Sequence, residues 1–209
     1  MIKRKSLTEK INEQINPSVA DSSVAEGTVY MGIDPGTNFM GYALLKIEHN
    51  KPKVITLGVV HLNKFTDPYQ KLSHIFSRVT ALIVQYQPNE VALEAPFYAN
   101  NVQSMLKLGR AQGVAMAAAL SRGLDVFEYM PTTVKQSVAG NGRASKEQVA
   151  GILKHLLGID PNEAKLDATD ALAVALCHYF AQSSPTAARQ KGGKSSSWQT
   201  YINQNQDKI

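Results

Sequence analysis

Along this chain the spacing of apolar positions switches between a two-residue and a helical period, and the order of the switches predicts a sheet with helices packed on it. The first block, Val29-Tyr30-Met31-Gly32-Ile33, is apolar, β-branched and aromatic, and it ends abruptly in Asp34-Pro35-Gly36-Thr37. This is the pattern of a buried strand that delivers a carboxylate to its end, with a tight turn feeding the next strand. A second strand is predicted over about Phe39 to Ile47 and a third over about Val54 to Leu62, with His49-Asn50-Lys51-Pro52 as the turn between them. Leu72, Ile75, Phe76, Val79, Ile83 and Tyr86 then recur at helical spacing, with Pro88 beyond the end.

Val91-Ala92-Leu93-Glu94 reads as a short buried strand, again closed by a carboxylate and followed by Pro96. A long helix follows from about Val102 to Arg122, its apolar face marked by Met105, Leu108, Ala115, Met116, Ala119 and Leu120. Gly109 and Gly113, four apart among alanines, let another helix approach closely, either within the chain or across a two-fold dimer. Asp125 to Tyr129 is a further strand, and Thr132 or Thr133 caps a helix running through Val138. A flexible loop, Gly140 to Ala144, leads to Ser145-Lys146-Glu147-Gln148, a capping box. With Arg143 and Lys146 beside it, that loop is either a phosphate cradle or an ordinary cap. The last element, Leu166 to Phe180, is a buried helix with Asp167 and Asp170 in or beside its first turn. The fold class is therefore α/β: a mixed sheet flanked by helices in a single domain over residues 28–182. Residues 1–27, with four basic and four acidic side chains, are expected to be a disordered extension. Residues 183–209 are expected to be a basic, Ser/Gly/Lys-rich tail whose Trp198 segment docks on the protein surface.

Composition narrows the function classes. The 209 residues, 44% of them hydrophobic, suffice for one good core. No apolar run approaches the ~20 residues of a membrane span, and the charged N-terminus lacks a secretory apolar segment. Cys177 is alone in an apolar helix, as a small buried hydrophobe in a reducing compartment. These features predict a soluble, cytoplasmic protein. The formal charge is +5, and six basic against two acidic residues between Phe97 and Lys146 give that stretch +4. A basic surface beside a few acids suits a polyanionic partner held around a metal site, although a solvated charged face has the same composition.

The acids carry the chemistry. Asp34 and Glu94 each close a buried strand, and parallel pairing of those strands brings both to one sheet edge. Asp167 and Asp170 are three apart, which on a helix places their Cβ atoms ~5–6 Å from each other. Asp34 can also serve as a turn residue, and Asp167 and Asp170 as an N-cap and its dipole partner. Neither role explains acids at two strand ends as well. Four converging carboxylates repel unless a cation sits among them, and Mg²⁺ prefers such oxygen ligands. Two such ions ~4 Å apart clamp an in-line phosphoryl displacement. No second cysteine, Gly-x-Ser-x-Gly, Walker loop or His-Glu-x-x-His is present, and the five histidines (49, 61, 74, 155 and 178) are scattered.

Together these segments resemble the RuvC family of bacterial Holliday-junction resolvases, within the ribonuclease H-like superfamily. The resemblance covers about residues 28–181. It rests on Gly32-Ile33-Asp34-Pro35-Gly36-Thr37 with Gly41-Tyr42, on Leu93-Glu94-x-x-Phe97, and on Leu106-Lys107-Leu108-Gly109-x-Ala111-x-Gly113-Val114. Val126-Phe127-Glu128-Tyr129, Val134-Lys135-Gln136 and Asp167-x-x-Asp170-Ala171-Leu172-Ala173 complete it. The resemblance implies a ribonuclease H-like five-stranded sheet and a homodimer on a four-way DNA junction, working with the branch-migration proteins RuvA and RuvB. Asp34, Glu94, Asp167 and Asp170 would hold two Mg²⁺, which Mn²⁺ can replace. Two like-polarity strands would be nicked symmetrically, leaving 5′-phosphate and 3′-hydroxyl ends. Phe97 matches an aromatic that stacks on bases near the junction centre, and Lys135 and Lys146 match lysines near the scissile phosphates. Lys107, in the basic stretch, and Arg143, by charge and loop position, are further candidate DNA contacts. The remaining readings are a related nuclease on another branched or hybrid substrate, a non-catalytic junction binder, and an actin-like phosphotransferase.

Overall fold

The structure, a computed structural model, describes residues 25–96, 101–159 and 166–183. Among these residues five strands form one sheet: β1 (Val29–Asp34), β2 (Phe39–Glu48), β3 (Lys51–His61), β4 (Glu90–Glu94) and β5 (Asp125–Tyr129), in the order β3-β2-β1-β4-β5. β1 pairs antiparallel with β2 and parallel with β4, β2 pairs antiparallel with β3, and β4 pairs parallel with β5. The helices are α1 (Pro68–Tyr86), α2 (Val102–Leu120), α3 (Pro131–Ala139), α4 (Lys146–Leu157) and α5 (Leu166–Ser183). The expected mixed sheet is present, and helices cover both its faces. That is why the central strands are buried on both sides.

Strand alternation sorts the core into two layers. Met31, Ile33, Val91 and Leu93 point to one face and pack against α1 and α2 through Ile75, Val79, Ala115 and Ala119. Tyr30, Ala43 and Ala92 point to the other, where α5 lies with α3 and α4 outside it. The residues under α5 are small, and α5 is itself alanine-rich, so helix and sheet meet at backbone distance. A Cβ on Gly32 would lie 2.2 Å from the Ala171 carbonyl oxygen, and one on Gly41 would lie 1.8 Å from that of Asp167. Any side chain at either position forces helix and sheet apart.

Several boundaries differ from the sequence reading. The β2–β3 connection is a two-residue turn at His49 and Asn50, both left-handed at φ 51° and 58°, and not a four-residue turn through Pro52. β3 therefore starts at Lys51, and Pro52 pairs with Ile47. β3 is an edge strand, where the missing N–H of proline does no harm. Residues 25–27 already belong to the domain: the Gly27 N–H donates to the Ile47 carbonyl, and the Glu26 carboxylate accepts from the His49 N–H. Phe76 is 41% exposed, and Leu82 takes the core position instead. On α2 the buried side is Ala111, Gln112, Ala115, Ala118 and Ala119, leaving Leu120 outside, because only small side chains fit so close to the sheet. α3 has neither Thr132 nor Thr133 as its cap. Met130 holds that position without a side-chain bond, and Pro131 begins the helix. The 140–144 loop is pinned: Gln136 bonds the Gly140 carbonyl and the Gly142 N–H, and Asn141 bonds the Arg143 N–H. Cys177 is buried as expected. The expectations for residues 1–24, Phe97 and the tail from residue 184 with Trp198 lie outside the described residues.

Candidate active site

Parallel pairing of β1 and β4, with Ile33 beside Leu93, carries Asp34 and Glu94 to one end of the sheet. The same end receives the first turn of α5. Asp34 pairs with Gly41 across β1 and β2, and the bare backbone of Gly41 admits the Asp167 peptide. Side-chain oxygens of Asp34, Asp167 and Asp170 consequently lie within 4.8 Å of one another, each half-buried. Asp167 lies within the helix and not at its cap. Glu94 stands apart from that triad but shares with Asp34 and Asp170 a small cleft of about 110 Å³. Lys135, from α3, and Lys146, from the start of α4, line the same cleft.

Electrostatics follow from this crowding. Burial, then the charges of Glu94 and Asp170, push the Asp34 carboxyl up to about 8, with Lys146 acting in the opposite sense. Burial and the Asp170 charge likewise raise Glu94, against the pull of Lys146 and Lys135. The Lys146 ammonium donates to the Asp170 carboxylate. Burial works against its charge, but that bond and the charges of Asp170, Asp34 and Asp167 outweigh it, so its pKa is raised. Two lysines cannot neutralise four acids. A hard cation with oxygen ligands fits the triad, whose three carboxylates present the donor chemistry that divalent ions take.

The remaining candidates are dispersed. The Arg143 side chain is exposed on its loop, and Lys107 is exposed on α2, lining a different cleft. The α4 capping box is formed, with Ser145 and Gln148 bonding reciprocally. None of the histidines joins the acids. His178 is buried in α5, its Nδ1 2.7 Å from the Tyr129 hydroxyl and its Nε2 2.8 Å from the Glu90 carboxylate. Two supporting residues escaped the sequence reading. Gln112 is buried and donates from Nε2 to the Glu94 carbonyl at 3.3 Å and to the Glu128 carboxylate at 2.8 Å, tying α2 to the end of β4. Lys71 donates to the Thr37 carbonyl and to Asn38, steadying the turn after Asp34. An amide within a run of alanine and glycine was the available signal for Gln112; Lys71 had none.

Comparison with known proteins converges on one family. The family model for crossover junction endodeoxyribonuclease RuvC matches residues 30–178, a span that includes all four acids. The crossover junction endodeoxyribonuclease RuvC of Porphyromonas gingivalis is 52% identical over 184 residues, covering 87% of this chain and 96% of that protein. The structure of Thermus thermophilus RuvC aligns with a TM-score of 0.67 at 32% identity, over 73% of this chain and 94% of that one. A second structure, T. thermophilus RuvC in complex with a Holliday junction substrate, aligns with a TM-score of 0.66 at 29% identity, over 73% and 93%. With half the aligned residues identical in a near full-length relative, and its acids gathered at the end of a matching sheet, the chain belongs to the crossover junction endodeoxyribonuclease RuvC family.

Proposed function

We propose that the protein is a Mg²⁺-dependent Holliday-junction resolvase that works in the cytoplasm as a homodimer. It nicks two like-polarity strands symmetrically, leaving 5′-phosphate and 3′-hydroxyl ends. The observation that carries this reading is the meeting of Asp34, Asp167 and Asp170 within 4.8 Å beside Glu94, in a chain of this family. Asp34, Asp167 and Asp170 would hold one ion, and Glu94, facing Asp34 and Asp170, would contribute to a second. When bound, Mg²⁺ supplies Lewis-acid polarisation of the phosphodiester and a more acidic water.

The chain's own residues prepare that chemistry. Asp34 gives up its proton when the site is loaded, since burial and its neighbours hold it protonated at neutral pH. Lys146 and Lys135 put positive charge on the cleft wall, where the non-bridging oxygens of a scissile phosphate need it. Burial of the site strengthens each of these interactions relative to water. Support for the dimer comes from α2: Gly109 and Gly113 have nothing within 4 Å of a Cβ, and Val102, Leu106 and Leu120 are exposed along the same helix. Two protomers supply two sites, which is what symmetric nicking needs. Phe97 stacking at the junction centre, and action beside RuvA and RuvB, complete the reading by family likeness.

The test is cleavage of a synthetic four-way junction in Mg²⁺ by wild type and Asp34→Asn. We expect paired nicks from wild type and none from the variant, with junction binding retained. Full activity of Asp34→Asn, or equal cleavage of a simple duplex by wild type, overturns the assignment.

A further inference from the structure

A second cleft, of about 210 Å³, opens on the opposite face of the sheet, between the N-terminal parts of α1 and α2. It shares a wall with the catalytic end, because Gly36 and Thr37, two and three residues beyond Asp34, line it. Its floor is apolar, built from Leu62, Leu72 and Ile75, and its rim carries Lys71, Lys107 and Arg110. Among the described residues no Asp or Glu lines it. Lys71 is committed to the turn through the Thr37 carbonyl. Lys107 and Arg110 are three apart on α2, both exposed, and neither forms an ion pair with a described residue.

Cations gathered over an apolar floor, with no carboxylate among them, suit an anion that has an apolar body. A sugar–phosphate unit is such a group: its phosphate oxygens take charged donors, and its deoxyribose packs on aliphatic surface. The position selects the same ligand. Asp34 and Thr37 are separated by at most ~11 Å of chain, so a strand lying over the turn reaches both clefts within a few nucleotides, at roughly 3.4 Å of rise each.

We propose that this cleft seats a backbone phosphate of the substrate DNA away from the scissile one, with Lys107 and Arg110 on its oxygens and the sugar on Leu62, Leu72 and Ile75. The assignment rests on the nuclease reading of the carboxylate site. It makes the β1–β2 turn a ridge gripped by DNA on both sides, one side cut and the other held.

The experiment is equilibrium binding of a labelled four-way junction to the full chain in EDTA, over a series of salt concentrations, with cleavage measured separately in Mg²⁺. Losing one or two phosphate contacts in Lys107→Gln/Arg110→Gln should lower the slope of log K against log salt by about 1–2 and weaken binding about tenfold. Lys107→Arg/Arg110→Lys should keep the wild-type slope. Lys51→Gln/Lys53→Gln removes the same charge from the β3 edge and should keep it too, separating a local contact from the general field. Far-UV circular dichroism of each variant confirms the fold. A wild-type slope in the Gln/Gln variant, or an equal loss in the β3 variant, overturns the proposal while cleavage by wild type leaves the nuclease reading standing. Wild type that neither binds nor cuts the junction removes the nuclease reading and this assignment with it.

Discussion

Gly41→Ala is a one-methyl change that alters no charge or ligand, yet the geometry makes it a test of how the acids are held. The new Cβ would stand 1.8 Å from the Asp167 carbonyl oxygen and 2.6 Å from its carbon. Real Cβ contacts do not fall below 3.0 Å, so helix and strand must part by at least about 1.2 Å at this point. The atom in the way is backbone, and no rotamer relieves it. The displaced segment is the first turn of α5, which carries Asp167 and Asp170, while the strand opposite Gly41 carries Asp34. A misplacement of ~1 Å at a reacting centre lowers rate by about 100-fold, and overpacking of this kind destabilises by about 1–3 kcal/mol. Single-turnover nicking of a four-way junction should therefore slow about 100-fold. The melting temperature should fall by about 2–12 °C, at roughly 2–4 °C per kcal/mol for a chain of this size. Gly151→Ala is the control: it is exposed in the interior of α4, with nothing within 4 Å of its Cβ. It should gain up to ~1 kcal/mol of helix stability and nick at the wild-type rate. If Gly41→Ala cleaves and melts like wild type, the idea that backbone contact sets the carboxylate spacing is wrong.

His178→Leu strips a buried ring from the Tyr129 hydroxyl and the Glu90 carboxylate, and should reduce stability by about 2–4 kcal/mol; an unchanged urea midpoint would refute this. Between its unfolded value near 3.8 and its folded value of about 8, Asp34 binds more protons folded than unfolded. The metal-free protein should thus lose stability as pH rises across that window, and Asp34→Asn should flatten the trend; parallel melting curves for the two proteins in EDTA from pH 5 to 8 would count against it. Loading with Mg²⁺ at pH 7 should release about one proton per protomer, seen as a buffer-dependent heat in calorimetry. Gln112→Leu leaves the Glu94 carbonyl and Glu128 without their donor and should lower stability by about 1–2 kcal/mol, whereas Gln112→Glu should lower it further by facing Glu128 with like charge; equal melting of both with wild type would dismiss the link.

The strands and helices that contact only the core were legible because one period dominates each. β1 ends where the apolar run meets Asp-Pro-Gly, and α4 begins at a capping box that the structure forms. What could not be read from pattern was depth. On α2 the apolar spacing marks Met105, Leu108, Met116 and Leu120 together with Ala115 and Ala119, but the sheet lies so near that the alanines and Gln112 fill the interface and Leu120 is left outside. The same closeness hid the roles of Gly32 and Gly41, which show no turn signal and matter only because another backbone passes beside them. The hairpin at His49 and Asn50 is hidden in the sequence because Pro52 looks like punctuation until β3 is known to be an edge. Asp34 and Glu94 stood out as strand-end charges, whereas the separation of Glu94 from the tight triad depends on side-chain directions that spacing does not encode.

The burial of α5 reaches beyond packing. A helix whose central residues Ala171 to Tyr179 are all buried, and which touches the sheet through bare peptide, cannot swing or slide without the domain coming apart, so its central amides should exchange with deuterium only at the rate of global unfolding. The acids it bears are fixed before any DNA arrives. Choice among DNA shapes must then be made by the parts that surround this immovable pair, through what they allow to reach it.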